Sequence, residues 1–188
     1  MKYQIDPSAS RFTVQAFATG LLSSFGHDPT IAIRDFEGDA QSGPEDFENA
    51  SLHFTVRTTS MEVLDEMKKD DRLKLEEEMY DKVLNVRQFP TATFSSKQIA
   101  VQTLGNDLFQ AHVAGELTFH GVQHDHSFDA RITRLGTMLR ISGEFSLRQS
   151  DYGIKPFKAA GGALRLKDEV KFNCELVARQ QEEAKAGA

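Results

Sequence analysis

The chain has 188 residues and a formal net charge of −6 at pH 7, from 22 basic and 28 acidic side chains. This length favours one domain with a substantial apolar core, and the acidic balance argues against nucleic acid or an anionic membrane surface as the main partner. No stretch approaches the roughly 18 apolar residues of a membrane span, so we expect no integral membrane insertion.

The N-terminal segment has no apolar region of the kind found in signal peptides and leads directly into a strand. We therefore expect a cytoplasmic location, or a periplasmic one if a leader has been removed. The chain shows no internal repeat, low-complexity tract or linker. This predicts one domain over residues 1–178, followed by a polar tail over residues 179–188.

Alternation of apolar and polar residues predicts β-strands over most of the chain. The pattern is clearest from Thr137 to Gln149, where the odd positions are mainly apolar and the even positions mainly polar. It recurs at Phe12/Val14/Ala16/Ala18, Leu52/Phe54/Val56, Val113/Gly115/Leu117/Phe119, Phe128/Ala130/Ile132 and Val170/Phe172/Cys174/Leu176. Such strands place one face against an apolar interior, and many of them in one chain favour a sandwich or a closed barrel. The single cysteine, Cys174, is interpreted as a small core residue.

Residues 60–86 differ from the rest, since they are rich in Glu, Lys, Leu and Met and contain no Gly or Pro. Apolar residues recur at four-residue spacing, at Val63/Met67 and at Leu75/Met79/Val83. This spacing predicts two helices, each with one apolar face, broken near Asp70–Asp71. The acidic run Glu76–Glu78 is interpreted as a solvated helix face. Antiparallel strands with one helical insertion are typical of an up-and-down barrel of about eight strands, with a helix over one opening or side.

The interior of such a barrel would be rich in phenylalanine, because the chain has 14 Phe, 3 Tyr and no Trp. These side chains offer few polar groups, so an occupant should be long and apolar, and a flat hydrogen-bonding metabolite fits poorly. The alternation does not distinguish a packed core from a tunnel, and on its own it favours the packed core.

Several segments match, in order, the motifs of one family. They are YQIDPSASRFTVQAF at the start, His27 with DFEG at 35–38, Phe89–Pro90 with Thr93–Phe94, AGELTFHGV at 114–122, LRQSDYGI at 147–154, and LKDEVKF at 166–172. With these motifs the chain resembles the YceI-like family of lipocalin-like, polyisoprenoid-binding proteins. Each motif is weak alone, but the set spans nearly the whole chain.

The resemblance implies a mainly β, lipocalin-like antiparallel barrel of about eight strands, with a helical insertion at roughly residues 60–86. It also implies a long internal tunnel that holds an isoprenoid or a similar lipid, and it favours a homodimer. The chain departs from many relatives in lacking a signal peptide and in having a longer, more acidic insertion. We interpret these departures as marks of a cytoplasmic subgroup with a ligand of its own.

With the resemblance, a tunnel is favoured over a packed core. The candidate tunnel-lining residues are Phe12, Val14, Phe54, Phe94, Leu117, Phe119, Phe128, Ile141, Phe145 and Phe172. The candidate polar residues at the rim are His27, Arg148 and Asp151.

The polar candidates have plainer interpretations beside the functional ones. His27 with Asp28 could form an acid/base pair or contact a ligand head group, but a hydrogen-bonded turn is favoured. Arg148 and Asp151 could form an ion pair, or Arg148 could gate the barrel end. A capping role for Asp151 in the turn before Gly153 is the simpler interpretation.

Three histidines cluster in the segment HGVQHDH, at His120, His124 and His126. With Asp125 they could bind zinc. Since they flank a turn that contains glycine, we favour a solvated polar rim instead and predict no metal site.

The leading functional hypothesis is a protein that sequesters or carries one long apolar lipid: a polyisoprenoid, a quinone-like lipid or a fatty-acyl chain. Apart from such a lipid, no cofactor is expected. The first alternative is a stress or interaction module with a filled barrel that uses the acidic 60–86 segment as its contact surface. A weaker alternative is an isomerase or hydrolase that uses His27 and Asp28. No nucleophile elbow or phosphate loop supports catalysis, so the expected function is not enzymatic.

Overall fold

The computed structural model describes residues 1–19, 28–43, 47–159 and 164–181. The strands are β1 (Lys2–Ile5), β2 (Arg11–Thr19), β3 (Thr30–Ile33), β4 (Phe36–Gln41), β5 (Ser51–Arg57), β6 (Met61–Val63), β7 (Thr91–Gly105), β8 (Leu108–Phe119), β9 (Val122–Leu135), β10 (Met138–Arg148), β11 (Lys158–Ala159) and β12 (Leu164–Gln180). The α-helix α1 (Lys69–Glu78) continues into a π-helical turn at Met79–Val83, and 3-10 turns cover Pro7–Ala9, Thr58–Ser60 and Gln149–Tyr152. No helix in these ranges has the length and apolar character needed to cross a membrane.

Eight antiparallel strands form a closed barrel in the order β1, β4, β5, β7, β8, β9, β10, β12. The ring closes where β12 pairs with β1, with Gln180 opposite Tyr3 and Ala178 opposite Ile5. The longer N-terminal part of β12 pairs with β2, which extends the sheet through β3 to β6. The predicted antiparallel barrel of about eight strands is confirmed.

The predicted faces also match the structure. On β10, Leu139 and Leu147 are 3% and 7% exposed, while Arg140 and Arg148 on the other face are exposed. Cys174 lies on the inward face of β12, and its Sγ donates a hydrogen bond to the carbonyl oxygen of Gly143 at 3.3 Å. Burial raises the pKa of this thiol to about 11, so the group stays protonated at neutral pH.

The prediction of two helices over residues 60–86 was wrong in its details. Met61–Val63 is the strand β6, paired with β3, and a single α-helix begins at Lys69. Asp70 and Asp71 do not break this helix but lie in its first turn, where acidic side chains interact favourably with the helix dipole. The strand β6 has only three residues. Its alternation of buried and half-buried side chains is therefore a weaker signal in the sequence than the four-residue spacing that predicted a helix.

The acidic run Glu76–Glu78 is also more than a solvated face. The carboxylate of Glu76 accepts a hydrogen bond from the backbone N–H of Val63 at 2.9 Å. It therefore fastens α1 to the edge of β6. Glu78 pairs with Lys82 one turn later, with 2.6 Å between Oε1 and Nζ.

The last strand overlaps the residues assigned to the predicted polar tail. Arg179 and Gln180 belong to β12 and pair with β1, so the predicted tail starts inside the strand. The rest of that tail, residues 182–188, lies outside the described residues.

The chain bends between β1 and β2, and both of these strands pair with β12. The carboxylate of Asp6 accepts hydrogen bonds from the N–H and hydroxyl of Ser8, at 3.1 and 2.6 Å, and pairs with Arg179 on β12 at 2.8 Å. These bonds lower the pKa of Asp6 to about 2. The hydroxyl of Ser10 donates to the Asp6 carbonyl at 2.6 Å and accepts from the Val177 N–H at 2.9 Å. β1 and β2 can thus share one partner strand.

We expect Ser10→Ala to lower the free energy of unfolding by about 1–3 kcal/mol, because the partly buried N–H of Val177 loses its acceptor. Urea denaturation followed by circular dichroism measures this change. Ser8→Ala is the matched control, since its hydroxyl is exposed, and it should change stability by no more than about 0.5 kcal/mol. Equal losses in the two variants would contradict the role assigned to Ser10.

Candidate ligand-binding cavities

Two apolar cavities lie inside the fold. The inner cavity, of about 150 Å³, is enclosed by the barrel, and its wall includes Phe12, Phe54, Phe94, Phe128 and Phe145. The helix-side cavity, of about 100 Å³, lies between the barrel and the segment of α1, with Val14, Leu75, Met79, Val83 and Leu166 in its wall. Since one water molecule needs only roughly 10–15 Å³ of such space, the interior is not fully packed.

The two cavities are neighbours. The side chains of Met61, Phe119 and Phe172 line both of them and so separate one from the other. An apolar cavity of about 150 Å³ holds a molecule of the size of benzene. A longer chain would therefore occupy both cavities and displace the side chains that separate them.

Each of the ten predicted tunnel-lining residues lies in the wall of a cavity. Val14 lines the helix-side cavity, Phe119 and Phe172 line both, and the inner cavity is lined by Phe12, Phe54, Phe94, Leu117, Phe128, Ile141 and Phe145. Their contact with a ligand stays a prediction.

A glycine on β8 allows β7 to approach closely beside the inner cavity. Gly115 faces inward, and a Cβ at this position would overlap the carbonyl oxygen of Ser95 and would lie 2.7 Å from Cζ of Phe94. Glycine therefore leaves room both for the backbone of β7 and for the ring of Phe94.

The segment after β6 covers the helix-side cavity. Leu75, Met79 and Val83, predicted from their four-residue spacing to share a face, do line this cavity together. The hydroxyl of Tyr80 donates a hydrogen bond to the carbonyl oxygen of Met61, and burial, with Glu76 and Glu62 nearby, raises the pKa of Tyr80. The segment is thus attached to β6 through backbone contacts as well as apolar ones.

Two of the three clustered histidines lie at the end of the barrel, as the turn pattern predicts. His120 and Gly121, with φ of 50° and 76°, form the two-residue hairpin turn. Nδ1 of His120 donates to the carbonyl oxygen of Tyr152 at 3.1 Å, and Nε2 of His124 donates to that of Asp151 at 2.9 Å. Among the described residues, no group of three or more His, Cys, Asp or Glu side chains is placed to bind a metal ion.

The assignment of His126 to the solvated rim was wrong. His126 lies within β9 on the same face as Phe128 and Ala130, it is half-buried, and it lines the inner cavity. Its Nε2 is buried and, among the described residues, has no hydrogen-bond partner. Burial lowers the pKa of this imidazole. His126, Phe128 and Ala130 are each two residues apart on β9, and this spacing indicates that all three face inward. The turn that lies nearby in the sequence favoured the rim instead.

The remaining rim candidates do not form one polar cluster. His27 lies outside the described residues, and the carboxylate of Asp28 accepts a hydrogen bond from the Ala18 N–H at 2.8 Å. Arg148 and Asp151 both border a surface depression beside His124, but no ion pair joins them in the described part of the chain.

The capping role predicted for Asp151 belongs to another carboxylate. Asp168 on β12 accepts hydrogen bonds from the N–H and the hydroxyl of Ser150, at 2.8 and 2.5 Å. The cap comes from a strand distant in sequence, so a local motif could not identify it.

We expect His126 to titrate below pH 6.5, the ordinary value for histidine, in an NMR titration of the folded protein. Because the folded chain binds this proton less readily, the free energy of unfolding should fall as the pH decreases from about 6.5 through the lowered pKa. His126→Leu should remove this component. His112→Leu, which alters an exposed imidazole paired with Asp129, should leave it in place. Titration of His126 at or above pH 6.5 would contradict its burial.

Comparison with solved structures shows the same fold in proteins from three organisms. BcnA of Burkholderia cenocepacia superposes with a TM-score of 0.72 at 18% identity, over 92% of this chain and 98% of BcnA. A polyisoprenoid binding domain from Saccharophagus degradans, described as implicated in plant cell wall breakdown, gives 0.69 at 15% identity over 95% and 98%. The YceI protein of Campylobacter jejuni gives 0.62 at 18% identity over 81% and 85%.

Sequence comparison identifies the family. A search of curated proteins found no match. The family model of the YceI-like domain, however, matches residues 3–178, which is nearly all of the barrel. The chain belongs to the YceI-like family.

Proposed function

We propose that this protein binds one long apolar chain, a polyisoprenoid, a quinone-like lipid or a fatty-acyl chain, inside its barrel, and thereby sequesters or carries it. The observation that carries this proposal is the pair of adjacent apolar cavities enclosed by the closed sheet and the α1 segment. Family membership and the similarity of the fold to a polyisoprenoid binding domain support it.

The chemistry of the walls favours an apolar occupant. In the inner cavity the polar side chains among the described residues are Thr93, His126 and Cys174, and no Asp, Glu, Lys or Arg lines it. In the helix-side cavity the polar lining residue is Gln149, whose amide donates to the Lys167 carbonyl at 3.0 Å. A charged group placed inside would have no counter-ion, and burying it would cost several kcal/mol.

The energetics favour a long chain over a small molecule. Burial of each methylene contributes about 0.8 kcal/mol, so a chain of about fifteen carbons gains roughly 12 kcal/mol before association costs. The association costs are about 4–15 kcal/mol. Displacing Met61, Phe119 and Phe172, which separate the two cavities, adds to them. Tight binding therefore requires the chain to occupy both cavities.

The cavities weigh against the alternative of a filled barrel that acts as an interaction module. Nucleophilic chemistry by Cys174 is also disfavoured, since burial raises the pKa of its thiol to about 11 and leaves little thiolate. The homodimer, the cytoplasmic location and the identity of the lipid stay predictions.

We expect Phe119→Asp to abolish uptake of a long prenyl or acyl chain, because it places a carboxylate between the two cavities. Leu104→Asp is the matched control, since Leu104 is 48% exposed on β7 and a charge there should not alter binding. Native mass spectrometry of each purified protein, followed by solvent extraction, measures the lipid bound per chain.

A second variant covers the case in which Phe119→Asp does not fold. Ile141→Trp fills part of the inner cavity without adding charge, so binding should weaken at least tenfold in a folded protein. Wild-type lipid content in either folded variant would refute the internal site. A wild-type protein that stays free of lipid after incubation with long prenyl and acyl chains would favour the filled barrel.

A further inference from the structure

The wall of the barrel is split between β9 and β10. Their hydrogen-bonded register starts at Leu135 opposite Met138 and stops at Ala130 opposite Gly143. Both strands continue, since β9 extends back to Val122 and β10 extends forward to Arg148. Over this stretch β9 stays paired with β8, and β10 stays paired with β12. The two halves of the wall thus separate without either strand losing its other neighbour.

The split is bridged at its far end by side chains instead of backbone pairs. The bonds from His120 and His124 to the carbonyl oxygens of Tyr152 and Asp151 join the end of β8 and β9 to the turn after β10. Between these bonds and the last β9–β10 pair, two depressions of about 720 and 360 Å³ open on the outer surface.

Aromatic rings close the split from the inside. The ring of Phe128 on β9 stacks on that of Phe145 on β10 with centroids 5.4 Å apart, and Phe145 stacks on Phe172 at 4.8 Å and 3°. The imidazole of His126 meets the edge of Phe145 at 5.2 Å. In this part of the wall the described contacts between β9 and β10 are therefore made by side chains and not by backbone pairs.

His126 occupies the junction of the inside and the outside. It lines the inner cavity and also both outer depressions, and its Nε2 is buried with no hydrogen-bond partner among the described residues. An unpaired buried donor or acceptor costs free energy that a partner would recover. The neighbouring rings of Phe128 and Phe145 have no nitrogen or oxygen atom that could form this hydrogen bond.

We propose that Nε2 of His126 hydrogen-bonds a neutral oxygen at the polar end of the bound lipid, a hydroxyl or a carbonyl. The polar end then lies at the split between β9 and β10, and the tail extends past Phe119 and Phe172 into the helix-side cavity. This inference rests on the proposed function.

A neutral oxygen suits the site better than a carboxylate or a phosphate. The inner cavity has no Lys or Arg in its wall within the described ranges, so an anion there would have no cationic partner. Burial lowers the pKa of His126, which favours the neutral imidazole. A neutral imidazole nitrogen accepts from a hydroxyl in one tautomer and donates to a carbonyl in the other, so both oxygen types remain suitable.

The test compares geranylgeraniol with the C20 hydrocarbon that lacks its hydroxyl, each measured by displacement of diphenylhexatriene, a fluorescent hydrocarbon with no polar group. We expect His126→Leu to weaken binding of the alcohol up to about tenfold, since one hydrogen bond is lost, and to change binding of the hydrocarbon by less than twofold. His126→Gln keeps a donor and an acceptor and should restore part of the loss. His112→Leu, on the outer face of β8, should leave both affinities unchanged.

The outcomes separate this inference from the proposed function. Equal effects of His126→Leu on the two probes would overturn the hydrogen bond while keeping the internal site. Failure of both probes to bind the wild-type protein would refute the proposed function as well. If His126→Leu does not fold, nitrogen NMR of histidine-labelled wild-type protein decides, because Nε2 of His126 should shift with the alcohol and not with the hydrocarbon. Equal shifts with both probes would count against the proposal.

Discussion

The interior of this protein depends on one strand, β12, which pairs with four others: β10, β11, β2 and β1. It pairs with β10 along one edge, and along the other it pairs first with β2 and then with β1. The β1 contact closes the sheet, and the bend stabilised by Asp6 and Ser10 allows β1 and β2 to share the strand. Since closure removes the sheet edges and encloses the apolar faces, the cavities exist only because this strand is shared.

Closure creates an interior, and its contents are determined by the sizes of facing side chains. Eight strands leave room for side chains that fill the barrel or for one small ligand. Here glycine faces inward at Gly115, which leaves room for the backbone of β7 and for the ring of Phe94. The phenylalanines also stack between neighbouring strands, as Phe145 on β10 does with Phe172 directly opposite on β12. The space that the rings leave is apolar, and its wall includes His126 beside the split between β9 and β10.

The sequence predicted the parts of the site that follow from local periodicity. Phe12, Phe145 and Phe172 lie inward because a strand alternates its faces at every residue, whatever it pairs with. The short strand β6 was missed because three residues carry little periodic signal. The inward position of His126 was not predicted because the nearby turn suggested the rim. The alternation of faces along β9 indicated the correct position. The cap from Asp168 joins distant segments, so no local pattern contains it.

The sequence by itself determined the antiparallel β class, the inward faces and, through motifs spread along the chain, the family. These follow from short-range regularities and from residue order, which need no knowledge of pairing. The tertiary structure alone decided that the ring closes at β12, that two apolar cavities lie within the core, and that β9 and β10 separate beside His126. Each of these depends on which distant residues meet and on how their volumes add, and alternation within one strand carries no information about either.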